Sequence, residues 1–130
     1  MHHVSSETST LRLRTLRRLL GRDRQLRVFN TSALVGEVRW ELANTRAIAA
    51  VVDAAGVLAG TVSVGDIAGF SPDRAVGEVM ETNAPTAAAE SEVEDAWQLA
   101  RDERADRVVV ISPKGELLGI LSIGELAAAR

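Results

Sequence analysis

The 130-residue chain contains no cysteine and no tyrosine, and its only histidines are His2 and His3. Without cysteine there is no disulfide framework, no thiolate zinc site and no cysteine nucleophile. That absence suits a reducing compartment, and the cytoplasm is the expected location. With no histidine beyond residue 3, the folded body has no imidazole to activate a nucleophile. No metal-ligand spacing and no GxxxxGK[ST] phosphate loop occur. Carboxylate pairs such as Glu94-Asp95 and Asp102-Glu103 read as the solvated face of a helix. The chain is therefore read as non-enzymatic, with no required cofactor and no metal. Long apolar runs are also missing. The start, "MHHVSSETST", has no apolar signal-peptide core. The longest charge-free apolar run, "AAGVLAGTVSVG" at 54–65, is about half of a membrane span and is broken by glycines. No membrane association is expected.

Lysine is nearly absent too: one stands against fourteen arginines. The charge is uneven although the net value is only −3. Residues 1–30 carry seven arginines against Glu7 and Asp23, whereas the rest carries eight basic and sixteen acidic residues. Leu13, Leu16, Leu19 and Leu20 recur at helical spacing between those arginines, which predicts a solvated amphipathic helix. Nucleic-acid binding through residues 11–27 is the weakest reading, because no aromatic side chain interleaves there for base stacking. Trp40 and Trp97 are expected in the core or at an interface.

What the chain does have is a sentence written twice. "GTVSVGDIA" stands at 60–68 and "GILSIGELA" at 119–127. Residues 51–68 slide onto 110–127 without a gap, and twelve of the eighteen positions agree in kind. This marks an internal duplication. In each copy an apolar, β-branched run (47–53 and 107–111) reads as a buried strand. A turn with Gly56 or Gly115 leads to a second strand (57–63 and 116–122) and then to a helix start. Upstream, Ser91 and Glu94 predict a capping box, followed by the apolar stripe Val93, Ala96, Trp97 and Ala100. Ser32 matches Ser91 in the first copy, with Leu34, Val35, Val38 and Leu42 as its stripe. "SPDRAVGEVM" (71–80) reads as a joining helix that Ser71 or Asp73 caps, with Pro72 in its first turn. Each copy therefore reads strand, helix, strand, strand, helix. Neither is expected to bury its sheet alone, and two packed together would.

This pattern resembles the CBS domain, which occurs as tandem pairs called Bateman modules. Residues 79–126 carry the resemblance best: the opening Val79-Met80, Thr86, Ala96, Gly115 and the closing Gly119-Ile120-Leu121-Ser122 with Glu125. The first copy matches from about Thr31 to Phe70, with Leu20-Gly21 standing where Val-Met would be. The resemblance implies an α/β fold of tandem CBS repeats forming one pseudo-two-fold module. Its parts would be a basic N-terminal segment (1–15), a first repeat (16–70) and a second repeat (71–130).

The resemblance also implies a ligand: an adenine nucleotide or an S-adenosyl compound lodged between the repeats. Ser63 and Asp66 are then the ribose-and-phosphate candidates of one site, and Ser122 and Glu125 those of the other. Backbone around Ala47, Ile48, Ala49 and Ala50, and around Arg107, Val108 and Val109, would face the base, with apolar side chains stacking. Thr86 joins the second set, and phosphate charge would fall to Arg46, Arg74, Arg107 or Lys114. The residues alone allow a second account of the same motif. Ser63 and Ser122 suit helix N-caps, and Asp66 and Glu125 at N3 complete capping boxes without any ligand. The functional expectation is a regulatory or sensory module that modulates a protein partner, acting in trans or as a homodimer. The alternative is a protein-interaction or dimerisation module with vestigial pockets, using the basic N-terminal helix as its docking element.

Overall fold

A computed structural model of the chain describes residues 14–130. Leu13, Arg12 and most of the expected basic segment lie outside the described residues. The elements are α1 (Leu16–Leu20), β1 (Val28–Asn30), α2 (Val35–Leu42), β2 (Ala49–Val52), β3 (Leu58–Val62), α3 (Val64–Ile67), a 3-10 turn (Val76–Glu78), β4 (Thr86–Ala88), α4 (Val93–Asp102), β5 (Arg107–Ile111), β6 (Leu117–Ser122) and α5 (Ile123–Ala129). They form two compact units. The first is Gln25–Ala84; the second joins Pro85–Arg130 to the segment ending at Arg24. The units thus do not follow the chain order 16–70 and 71–130, because α1 belongs with the C-terminal half.

Each unit holds a three-stranded sheet, β1-β2-β3 or β4-β5-β6. The first two strands run parallel, and the last two form an antiparallel hairpin. A parallel pair needs a crossover, and α2 or α4 supplies it. Alternate strand residues face that helix. Ala49, Val51 and Val62 pack with Val35, Val38, Leu42, Ile67 and Val76 in the first unit. Val108, Val110 and Leu121 pack with Leu16, Leu20, Val93, Ala96, Ala100 and Leu126 in the second. Both hairpins turn alike. Asp53 Oδ1 accepts from the backbone N–H groups of Ala55 and Val57, and Ser112 Oγ accepts from those of Lys114 and Glu116. Gly56 and Gly115 then take φ of 82° and 81°, which glycine adopts without strain.

The helix starts differ from expectation. Ser91 is not a cap, and Glu94 makes no capping box. Glu92 occupies the N-cap position of α4 and Leu34 that of α2, neither with a side-chain cap bond. Backbone carbonyls from a distant extended segment do the work instead. Val93 N donates to Arg14 O at 2.9 Å, and Val35 N donates to Arg74 O at 2.8 Å. The pairing continues as Leu16 N to Ser91 O and Arg17 N to Ala89 O in one unit, Val76 N to Ala33 O and Gly77 N to Thr31 O in the other. Ala33, not Ser32, is therefore the equivalent of Ser91. Ser32 turns its hydroxyl to Asn30 Oδ1 at 2.8 Å. Leu34 drops out of the core stripe and is 39% exposed. Residues 71–80 do not form the expected helix either. This stretch is committed to the backbone pairing, and only the 3-10 turn Val76–Glu78 is helical.

Trp40 is 84% exposed, so it is no core residue. Trp97 is half-buried against the second core, with the guanidinium carbons of Arg101 and Arg130 at 4.7 and 3.4 Å from its ring centre. Several of the described N-terminal arginines have partners within their own units. Arg17 pairs with Glu90 at 2.7 Å, Arg14 donates to Ala129 O at 2.9 Å, and Arg27 lies 3.9 Å from Glu41.

The glycines that open the repeated motif mark where the extended segment crosses the sheet. A Cβ on Gly60 would stand 2.7 Å from the Glu81 carbonyl oxygen, and one on Gly119 would stand 2.7 Å from Leu20 Cδ2. The first neighbour is backbone and the second is the end of a flexible side chain. Gly60→Ala is therefore expected to destabilise by about 1–3 kcal/mol. For Gly119→Ala the cost should be smaller, because Leu20 can rotate and alanine suits a strand better by about 0.5–1 kcal/mol. Denaturant unfolding of the two variants checks this, and equal costs would show that the crossing does not distinguish them.

Candidate functional site

The repeated motif ends each hairpin at a strand-to-helix corner. In the first unit Ser63 follows β3 and opens α3. A capping box joins it to Asp66, with Ser63 N donating to Asp66 Oδ2 at 2.8 Å. In the second unit Ser122 ends β6 and opens α5. Glu125 N donates to Ser122 Oγ at 3.0 Å, and Ser122 N donates to Glu125 Oε1 at 3.1 Å. Both serine–acid pairs thus hold their helix starts together, as the second account of the motif requires. All four side chains are half-buried.

The other candidates fall around these corners unevenly. Ala47 and Ile48 are half-buried and lead into β2, while Ala49 begins it opposite Val62. Arg107 begins β5 with its backbone directly opposite Ser122. Thr86 is exposed and pairs with Val109, on the far side of β5 from Ser122. Ala49 and Val108 turn their side chains into their own cores. Apolar stacking from these two is thereby removed, and only their backbone is left to meet a ligand. Of the phosphate candidates, Arg74 pairs with Glu78 at 2.6 Å and lies over Phe70.

Arg107 is the one charged residue among the buried side chains of the described chain. Its Nε lies 2.7 Å from Asp106 Oδ1, and the Asp106 carboxylate is well exposed. The hydrogen bond from Arg107 holds the Asp106 carboxyl below the usual aspartate range, against partial burial. Burying a guanidinium is costly unless it is paired, and Asp106 sits where it can pair.

Sequence reasoning missed Arg24. Its Nη1 reaches Glu125 Oε2 at 2.7 Å, and its Nη2 reaches Glu125 Oε1 and Ile120 O, each at 2.8 Å. This is the two-pronged geometry in which arginine binds carboxylate best. Partial burial pushes the Glu125 carboxyl up, but Arg24 together with the Ser122 backbone and hydroxyl brings it below the usual glutamate range. Only one signal could have pointed here: the second acid is a glutamate where the first is an aspartate.

The corner geometry, the duplication and the sheet order can be set beside known proteins. The family model described as "CBS domain" matches residues 76–130. Residues 76–130 are a CBS domain. Solved CBS-domain structures extend the likeness over both units. A CBS-domain protein of Agrobacterium tumefaciens is 27% identical over 89% of this chain and 92% of its own, with a TM-score of 0.74. The CBS domain of a membrane protein from Sphaerobacter thermophilus is 18% identical, covers 100% of this chain and 98% of its own, and gives 0.75. CBSX2, solved in complex with AMP, is 23% identical over 88% and 94%, with a TM-score of 0.69. No curated protein matches the sequence. Among the described residues, no helix is long and apolar enough to cross a membrane.

Glu125 and Asp106 set an expected acid response. Both have folded pKa values below their unfolded ones, so their contribution is complete above the unfolded values, about 4. It is lost as pH falls through the lower folded values. Glu125→Gln should lower stability at pH 7 and leave a shallower loss of stability between pH 5 and pH 3. Urea midpoints across that range check it, and parallel acid limbs for wild type and variant would contradict it.

Proposed function

We propose that this protein is a non-enzymatic regulatory module of a reducing compartment. It binds an adenosine-containing ligand (AMP, ADP, ATP or an S-adenosyl compound) and modulates a partner. The observation that carries the reading is the likeness of both units to solved CBS-domain structures, one of them in complex with AMP; the duplicated corner adds a serine and an acid in each unit. A carboxylate of this kind suits the paired hydroxyls of a ribose. The fold likeness to a protein solved with AMP supports the ligand class. Such a module acts only if its ligand favours one of two states of the assembly it belongs to.

Thermal unfolding tests this with millimolar AMP, ADP, ATP and S-adenosylmethionine, on wild type and Asp66→Ala. A ligand at about 100 times its dissociation constant stabilises by about 2.7 kcal/mol. For a chain of this size that is a rise of several degrees. Asp66→Ala also loses half of a helix cap, so the quantity compared is the ligand-induced shift within each protein. A shift in wild type that disappears in the variant is expected. No shift with any compound would favour an interaction module.

Assembly as a homodimer is the second part of the proposal, and Trp40 favours it. The indole stands 84% exposed on α2, on the side that carries the exposed Glu37 and Glu41. Water around so large an aromatic surface is unfavourable, and such residues anchor interfaces. Sedimentation equilibrium should give a dimer for wild type and a monomer for Trp40→Glu, with unchanged circular dichroism. A monomeric wild type at tens of micromolar, or a variant that still dimerises, would remove Trp40 from the interface.

A further inference from the structure

We infer that the homodimer joins unlike faces: the Glu37–Trp40 side of α2 in one copy packs on the Trp97–Arg101 side of α4 in the other. This rests on the dimer reading above and names what Trp40 meets. The two faces are built in opposite ways. On α2, Trp40 and Glu41 neighbour Glu37 at i+3 and i+4, and all three are exposed. Glu37 makes no ion pair among the described residues, and Glu41 has only Arg27, at 3.9 Å. This face is acidic around an uncovered indole. On α4, Glu94, Trp97, Gln98 and Arg101 share one side, while Asp95 and Asp102 fall in a separate row. Arg130 lies over the Trp97 ring and takes Glu94 through two hydrogen bonds, at 2.9 and 3.1 Å. That pair cancels the carboxylate of this side. What remains is Arg101, which is exposed and has no ion pair among the described residues; its guanidinium carbon is 4.7 Å from the Trp97 ring centre.

Each face therefore lacks what the other has. The α2 face set against its own copy would bring the Glu37 and Glu41 carboxylates of both chains together. The α4 face set against itself would oppose two guanidinium groups. Like charges across an interface are costly, and complementary ones fix which surfaces meet. Joined to each other, the faces give Arg101 a carboxylate from Glu37. The Trp40 indole then covers the side of that guanidinium turned away from Trp97, where a cation and an aromatic ring attract. Tryptophan and arginine are also the residues on which interfaces most depend. Because the contact joins unlike faces, two copies satisfy both of their faces only by making it twice.

Sedimentation equilibrium of the full chain tests this by charge reversal, with circular dichroism as the control for folding. Arg101→Glu and Glu37→Arg should each raise the dimer dissociation constant by at least about tenfold. An equimolar mixture of the two variants should recover the dimer, since one contact is then wild type and the other has its charges exchanged. The double variant Glu37→Arg/Arg101→Glu should dimerise alone. Should a reversal disturb the fold, Glu37→Gln and Arg101→Gln remove the charges and should weaken the dimer in the same direction. An Arg101 variant that dimerises as wild type does, or reversals that neither mixing nor the double variant rescues, overturn the inference and leave the dimer reading standing. A wild type that stays monomeric at tens of micromolar overturns both.

Discussion

Everything in this fold hangs on how the covering helix of each unit begins. A helix start leaves backbone N–H groups without partners. At Leu34 and Glu92 no side chain meets that need, and the carbonyls of Arg74 and Arg14 meet it instead. A side-chain cap would fix only itself. A backbone cap fixes a whole strand-like segment, and that segment carries Val76 or Leu16 into the core behind it. It then lays Met80 or Leu20 across the motif glycine. In the first unit the segment follows the hairpin, so the unit is continuous in sequence. In the second it precedes the entire first unit. Residues up to Arg24 must wait for residues from Pro85 onward, and the cost of closing that loop falls on the second unit alone.

The same segment decides what the strand edge beside each corner meets. Past the crossing it can run on beside the last strand, as at Glu81, or leave at a glycine, as at Gly21. In the first case main chain satisfies the strand edge. In the second the edge is left to a side chain, and Arg24, once there, lies within reach of the nearby acid. The Arg24–Glu125 pair therefore has a backbone origin. It follows from one turn in a segment that packs in both units by the same hydrogen bonds.

The hairpins, their turns and the Ser63–Asp66 and Ser122–Glu125 pairs were legible in the sequence because each is local. Strand, turn glycine, N-cap and N3 acid all fall within eighteen residues and carry chemistry that names its own geometry. The helix starts were not legible for the opposite reason. A carbonyl cap has no residue signature, while "SEVE" at 91–94 imitates a capping box that the fold does not use. Residues 71–80 imitate a helix start for the same reason: proline and small polar residues also suit an extended strap. The Arg24–Glu125 clasp was out of reach because its partners stand 101 residues apart in a chain with fourteen arginines. Arg107 is a different failure. Its position in the sheet was anticipated but its burial was not, since a charged side chain enters a core only with a partner such as Asp106 beside it.

Duplication explains why the repeated motif is by itself a poor witness to function. A capping box is needed wherever this hairpin turns into a helix, so both copies require a serine and an acid whether or not anything binds. Agreement between the copies therefore reports on the fold. Information about binding lies in what the copies do differently with the same framework: aspartate against glutamate, backbone against guanidinium at the strand edge, a buried arginine at the head of one strand and Ile48 at the head of the other. Each of these differences falls within a few residues of a corner. The hairpin turns differ in residues as well, DAAG against SPKG, yet keep the same hydrogen-bond pattern.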